Sequence, residues 1–209
     1  PIAEMRSLTL PDGTKVQLNS KSTLLYPHEF TGDSRSVFLL GEANFKVKPD
    51  KKRPFIVKSN DLQITALGTE FNVSAYPESQ EIATTLISGS IRVAYNNLTT
   101  SVILHPNEQF AYNRNNKKYD LSNPDMDDVT AWQRGELVLQ KMTLTDIINV
   151  LERKYPYAFV YSIKNLKNDR FSFRFKDNAP LEEVMEIIVN VVGQMDYRIV
   201  EDKCYLTRI

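Results

Sequence analysis

Four times in this chain an alternating apolar run reaches a corner residue and resumes as a second alternating run. Val37-Phe38-Leu39-Leu40 meets Gly41 and resumes as Phe45-Lys46-Val47; Leu62-Gln63-Ile64-Thr65-Ala66-Leu67 meets Gly68 and resumes as Phe71-Asn72-Val73. Ile82-Ala83-Thr84-Thr85-Leu86-Ile87 meets Gly89 and resumes as Ile91-Arg92-Val93, and Ser101-Val102-Ile103-Leu104 meets Pro106 and resumes as Phe110-Ala111-Tyr112. Period-two alternation marks strands, and a residue without Cβ lets a strand bend sharply. The corners stand 27, 21 and 17 residues apart, too uneven for a strict solenoid. They fit a twisted, stacked β structure whose coils sit on one another. With no helical run of ten residues before residue 143, the first 128 residues are expected to form an all-β, solenoid-like domain.

Ahead of the corners, Leu8-Thr9-Leu10 and Val16-Gln17-Leu18 flank Pro11-Asp12-Gly13. Proline presets φ, aspartate tolerates the bridge region and glycine takes φ > 0, so this is a hairpin with a bulged turn. The turn accounts for Asp12 without a catalytic or calcium-binding role. Ten tyrosines and ten phenylalanines supply the aromatic stock that β cores use.

Between residues 113 and 130 the pattern breaks into polar and acidic turn chemistry, Asn113 to Lys118 and then Asn123-Pro124-Asp125. The domain boundary is placed near 128, and residues 129–209 change period. Glu136 to Gln140 reads as a strand; Leu144, Ile147, Ile148 and Leu151 then recur as a helical stripe. Thr143 with Asp146 resembles a capping box, and Pro156 stops the helix. Tyr157 to Tyr161 and Phe171 to Phe175 are alternating strands. A second helix starts at Pro180 with the stripe Leu181, Val184, Met185, Ile188 and stops at Gly193. A hairpin around Asp202-Lys203 closes the chain. The order β-α-β-β-α-β-β describes a small two-layer α+β domain.

Chemistry is sparse. His28 and His105 are too few and too scattered for a histidine-based metal site, and each sits at a strand end or corner. Nucleophile-elbow, phosphate-loop, zincin and EF-hand strings are all missing, and seven glycines leave little for phosphate-cradling loops. Glu42, Glu70 and Glu108 each follow a corner, either as paired carboxylates for glycoside hydrolysis or, on the favoured reading, as a solvated rim. Phe171, Phe173 and Phe175 alternate with Arg170, Ser172 and Arg174. An aromatic-basic strand can stack nucleobases, but Lys+Arg and Asp+Glu both number 26, and the phenylalanines read better as core. Trp132 is a sugar-stacking ring or, on the favoured reading, a plug sealing the two domains. Cys204 cannot form an internal disulfide and reads as a small buried hydrophobe. No enzyme, cofactor, metal or nucleic-acid partner is expected. No apolar run reaches 18 residues, and the chain starts at proline without a signal-peptide pattern, so it reads as a fragment or processed product.

The strings Leu10-Pro11-Asp12-Gly13-Thr14-Lys15-Val16-Gln17-Leu18-Asn19, Gly41-Glu42-Ala43-Asn44-Phe45, Leu67-Gly68-Thr69-Glu70-Phe71-Asn72-Val73 and Ala131-Trp132-Gln133-Arg134-Gly135 occur in that order. Together they resemble the FecR family of bacterial anti-sigma regulators in its Bacteroidetes-type arrangement. There a FecR domain, here about residues 5–112, precedes a module similar to the secretin and TonB short N-terminal domain, here 131–209. The resemblance implies a periplasmic region tethered to the inner membrane, with a sigma-binding cytoplasmic segment and a transmembrane helix beyond this sequence. Its implied partner is the N-terminal signalling extension of an outer-membrane TonB-dependent transporter, and its output is release of an extracytoplasmic-function sigma factor. The contact is expected on a strand edge of the C-terminal domain near Tyr157, Phe159, Tyr161, Arg170 or Arg174. Gly13, Gly41 and Gly68 are expected to be architectural. A carbohydrate-binding module and a structural periplasmic scaffold are the rival readings.

Overall fold

The computed structural model describes residues 4–162, 169–176 and 178–208. It divides into two compact units, one running Met5–Val129 and the other beginning at Thr130. The first is all-β, and the second mixes strands and helices.

Twelve strands build the first unit. They are β1 (Arg6–Thr9), β2 (Lys15–Leu18), β3 (Thr23–Leu25), β4 (Arg35–Lys46), β5 (Phe55–Lys58) and β6 (Gln63–Ala66), followed by β7 (Glu70–Ala75), β8 (Glu81–Ser88), β9 (Ile91–Tyr95), β10 (Thr100–Leu104), β11 (Gln109–Asn113) and β12 (Tyr119–Ser122). They join into one curled sheet of order β10-β9-β6-β5-β4-β7-β8-β11-β12, with β2 and β3 also pairing along β4. The long strand β4 belongs to both layers of the curl. Its leading half pairs with β3 and β5, and its trailing half, from Gly41, with β2 and β7.

The repeated corners now have a structural meaning. At Gly41, and in the links β6–β7, β8–β9 and β10–β11, the chain passes from one layer to the other. Each passage needs backbone room. A Cβ on Gly41, at φ 107°, meets the Ser22 Cα at 2.7 Å, and one on Gly68, at φ 150°, meets the Pro49 Cα at 2.8 Å. No side chain fits there without moving backbone. The layers close over a single core, with Phe45 against Phe55 at 5.9 Å and Tyr95 against both Phe110 and Tyr119 at 5.2 Å.

The Pro11-Asp12-Gly13 turn connects β1 and β2 as expected, Gly13 holding φ 88° at its tip. Its aspartate does more than turn the chain. Asp12 Oδ1 accepts the Thr14 amide at 2.9 Å, and Asp12 Oδ2 accepts the Thr14 hydroxyl and the Arg35 guanidinium, both at 2.7 Å. Arg35 is 1% exposed, donates to the Arg53 and Lys48 carbonyls, and lies 5.5 Å over the Phe55 ring. A buried charge is tolerated only when paired and hydrogen-bonded, so this network fastens the turn to β4 and to the segment before β5.

On the side of the sheet opposite the core, register aligns Gln17, Asn44, Asn72, Thr85, Gln109 and Ser122 into a polar row across six strands. Thr85 donates to Gln109 at 2.9 Å, and the Glu42 carboxylate receives Asn19 and Asn72 at 2.9 Å each. Glu70 pairs with Lys46 at 3.6 Å, and Glu108 accepts the His105 amide at 2.8 Å. The three corner carboxylates thus act locally, each holding a neighbouring segment.

The second unit, entered through the five-residue helix α1 (Met126–Thr130), opens on a 3-10 turn (Ala131–Arg134). Its elements are β13 (Leu137–Thr143), α2 (Leu144–Lys154), β14 (Ala158–Val160), β15 (Arg170–Phe175), α3 (Leu181–Val192), β16 (Met195–Val200) and β17 (Lys203–Arg208). The expected order is present, but its strands divide between two small sheets, β13-β15 and β14-β17-β16. Two β-α-β units therefore run in parallel roles, each leaving the first sheet and ending in the second, where β14 and β16 flank β17. Both helices bury their stripes in one core with the inner faces of the two sheets. Thr143 caps α2, accepting the Asp146 amide at 3.2 Å and donating to its carboxylate at 2.6 Å. Pro180 precedes α3 as its N-cap rather than its first residue, and Gly193 ends it at φ 69°. The closing turn is Glu201-Asp202, one residue earlier than the composition suggested.

Candidate partner-binding site

The second unit offers strand edges. Among the described residues β14 and β16 pair only with β17, and β15 pairs only with β13. Two of these edges are partly blocked by carboxylates: Glu152 accepts the Phe159 amide of β14 at 2.9 Å, and Asp196 accepts the Tyr197 amide of β16 at 2.8 Å. The third edge belongs to β15. A strand edge carries backbone donors and acceptors that can pair with another strand.

The outer face of β15 is basic. Arg174 donates to the Glu136 carboxylate at 2.9 Å, and Arg134 donates to the same carboxylate at 3.0 Å. The bond from Arg134, and then that from Arg174, hold the Glu136 carboxyl below its ordinary range. Arg170 adds a further charge and reaches across to the Lys141 carbonyl at 2.7 Å. Lys141 sits where β13 slips register against β15, and its amide is taken by the Ser172 hydroxyl at 2.9 Å. Both arginines are held by partners on or beside β13, so the charge is positioned rather than floating.

Of the five expected contact residues, Arg170 and Arg174 are the two exposed ones. Phe159 is 8% exposed and belongs to the core, while Tyr157 and Tyr161 pack against that core. Alternation on β14 turns these three rings inward. Burial, followed by the nearby Glu152 charge, pushes the Tyr161 hydroxyl up. Phe173 and Phe175 are buried beneath the arginines, as a core strand requires. Trp132 lies half-buried in the 3-10 turn, and its indole nitrogen has no hydrogen-bond partner among the described residues. Cys204 is fully buried on β17; burial, with the Glu182 charge behind it, pushes its thiol up to about 11.

Beside the start of β15 a cavity of about 630 Å³ opens between the two small sheets. Its floor is apolar, from Leu144, Phe171, Val192, Met195 and Leu206, and Asp169 and Arg208 stand among its polar lining residues. An apolar side chain entering beside the β15 edge finds a ready pocket. Among the described residues no three His, Cys, Asp or Glu side chains are grouped to hold a metal ion, and no helix is long and apolar enough to cross a membrane. The arrangement suits recognition of a protein segment.

Two family models match this chain. Residues 2–92 match the family model described as FecR protein, and residues 136–206 match the model described as FecR, C-terminal. Two crystal structures of a candidate anti-sigma factor from Parabacteroides distasonis ATCC 8503, at 1.65 and 2.50 Å resolution, superpose with a TM-score of 0.92. In both, sequence identity is 35%, and the match covers all of this chain and 96% of the other. No curated protein matches this chain. With both family models matched in order and a relative of this identity aligned over its whole length, the chain belongs to the FecR family of anti-sigma factors.

Proposed function

We propose that this chain is the periplasmic, signal-receiving region of a membrane-anchored anti-sigma factor. It relays the state of an outer-membrane TonB-dependent transporter to an extracytoplasmic-function sigma factor. The sigma factor itself is held by a cytoplasmic segment on the far side of a membrane helix, both outside these 209 residues. The role is regulatory rather than catalytic.

The observation that carries this reading is the edge of β15, which among the described residues pairs with β13 alone, with two exposed, positioned arginines on its outer face and an apolar cavity at one end. Strand addition at such an edge draws affinity from main-chain hydrogen bonds and specificity from side-chain pockets and charge. The transporter's N-terminal signalling extension supplies the added strand, with acidic residues facing Arg170 and Arg174. Calorimetric titration with the extension encoded beside this gene tests the reading. Saturable one-to-one binding in the micromolar range, weakened by Arg170→Ala with Arg174→Ala, supports the relay. Absence of binding removes the transporter from it.

A further inference from the structure

The first unit contains a concave site of its own, a cleft of about 620 Å³. Three connections build it: residues 58–63, from the end of β5 to the start of β6, residues 96–98 between β9 and β10, and Lys117 between β11 and β12. Its lining is rich in hydrogen-bonding groups, Lys58, Asn60, Gln63, Asn96, Asn97 and Lys117. Among the described residues the side-chain amides of Asn60, Gln63 and Asn97 make no hydrogen bond, and Asn96 only accepts one, from the Tyr112 hydroxyl at 3.1 Å.

The charge of the cleft is also uncompensated. Its one acid, Asp61, is neutralised by Arg114 at 2.9 Å, and Arg114 is further fixed by the Tyr76, Pro77 and Ser79 carbonyls. Neither Lys58 nor Lys117 has an ion-pair partner among the described residues.

Backbone strain concentrates at the same place. Four of the ten described non-glycine residues with left-handed backbone line this cleft: Asn96 at φ 51°, Asn97 at 56°, Leu98 at 65° and Lys117 at 59°. Three consecutive left-handed residues are costly for L-amino acids, and Leu98 gains no burial in return, being 54% exposed. Strain of this kind is retained where a site needs its groups presented in one way.

We propose that this cleft binds an acidic saccharide. Free amides both donate and accept, as sugar hydroxyls do, and the two ammonium groups complement a uronate carboxylate. The strained 96–98 turn holds two of the amides toward the cleft. This site is independent of the strand edge and gives the receiver a soluble ligand in addition to a protein partner.

Titration of the 209-residue chain with tri-galacturonate, and with neutral maltotriose as its control, tests the proposal. Tri-galacturonate binds one-to-one and weakens as ionic strength rises. Lys58→Gln and Lys117→Gln each weaken it about two- to fivefold, the range of an exposed ion pair. Asn60→Ala weakens both saccharides. All three variants keep the wild-type melting temperature, because the replaced side chains are exposed. No binding of tri-galacturonate at about 10 mM, where even a millimolar site is mostly filled, overturns the proposal. So does equal affinity for maltotriose, or binding unchanged in the Lys58→Gln, Lys117→Gln double variant.

Discussion

Replacing Asp12 by alanine is the sharpest perturbation of the N-terminal unit. It removes the only carboxylate paired with Arg35 among the described residues, a guanidinium 1% exposed. Breaking a buried pair from one side costs about 3–5 kcal/mol, because the remaining charge stays in a low-dielectric site. The same change deletes two bonds to Thr14, at 2.9 and 2.7 Å, each worth about 1 kcal/mol in a typical context. Against a total stability of about 5–15 kcal/mol this places the unit near its folding threshold. Arg35→Met removes the charge along with its partner's need, so the double variant Asp12→Ala, Arg35→Met is more stable than Asp12→Ala alone. The effect also has a pH signature. Burial raises the Asp12 carboxyl, but its bonds to the Thr14 amide, the Thr14 hydroxyl and Arg35 outweigh this and hold it below 3.8. A carboxyl lowered on folding contributes stability present above its unfolded value and lost as pH falls through the folded one. The gap between wild type and Asp12→Ala is therefore full at neutral pH and shrinks below pH 3.8. Urea unfolding followed by circular dichroism, with amide exchange read in β2 and β4, measures both. A loss under about 1 kcal/mol at pH 7, or a gap that does not close in acid, refutes the clamp.

Other substitutions probe single elements. Gly68→Val brings a Cβ to 2.8 Å from the Pro49 backbone at φ 150°, so it lowers stability by about 1–3 kcal/mol or more in thermal melts. Thr143→Ala removes the α2 cap and costs about 1 kcal/mol in denaturant titration, with the hairpin of β16 and β17 left in place by far-UV spectra. Cys204, its thiol pushed up to about 11 and fully buried, resists a thiol reagent at pH 8 in the folded chain and reacts on unfolding.

Local chemistry was readable in the sequence, and distant pairing was not. The corners at Gly41, Gly68, Gly89 and Pro106 show because a bend and its flanking alternation lie within a few residues. That each corner exchanges layers depends on registers such as Asn44 with Asn72 or Ile64 with Val93, which no local pattern encodes. Thr143 and Asp146 announce their cap for the same local reason. Asp12 was legible as a turn residue but not as the counter-ion of Arg35, which lies 23 positions away. Strands β3, β5 and β12 were not legible: β3 and β5 are runs of three and four residues, and β12 has an exposed face without alternation. In the C-terminal unit, β14 pairs in parallel with β17 across more than forty residues, so the division into two sheets was invisible. The arginines of the candidate site stood out by alternating with phenylalanines, whereas the inward turn of Tyr157, Phe159 and Tyr161 follows from that same long-range pairing.

Hydrogen exchange on the chain with and without the transporter's signalling extension tests the relay most directly. Strand addition predicts new protection concentrated in Arg170–Phe175, the strand proposed to receive the partner, and its loss when Arg170 and Arg174 are both alanine. Protection confined to the N-terminal unit, or none at a saturating concentration, contradicts the assignment of β15 as the receiving edge.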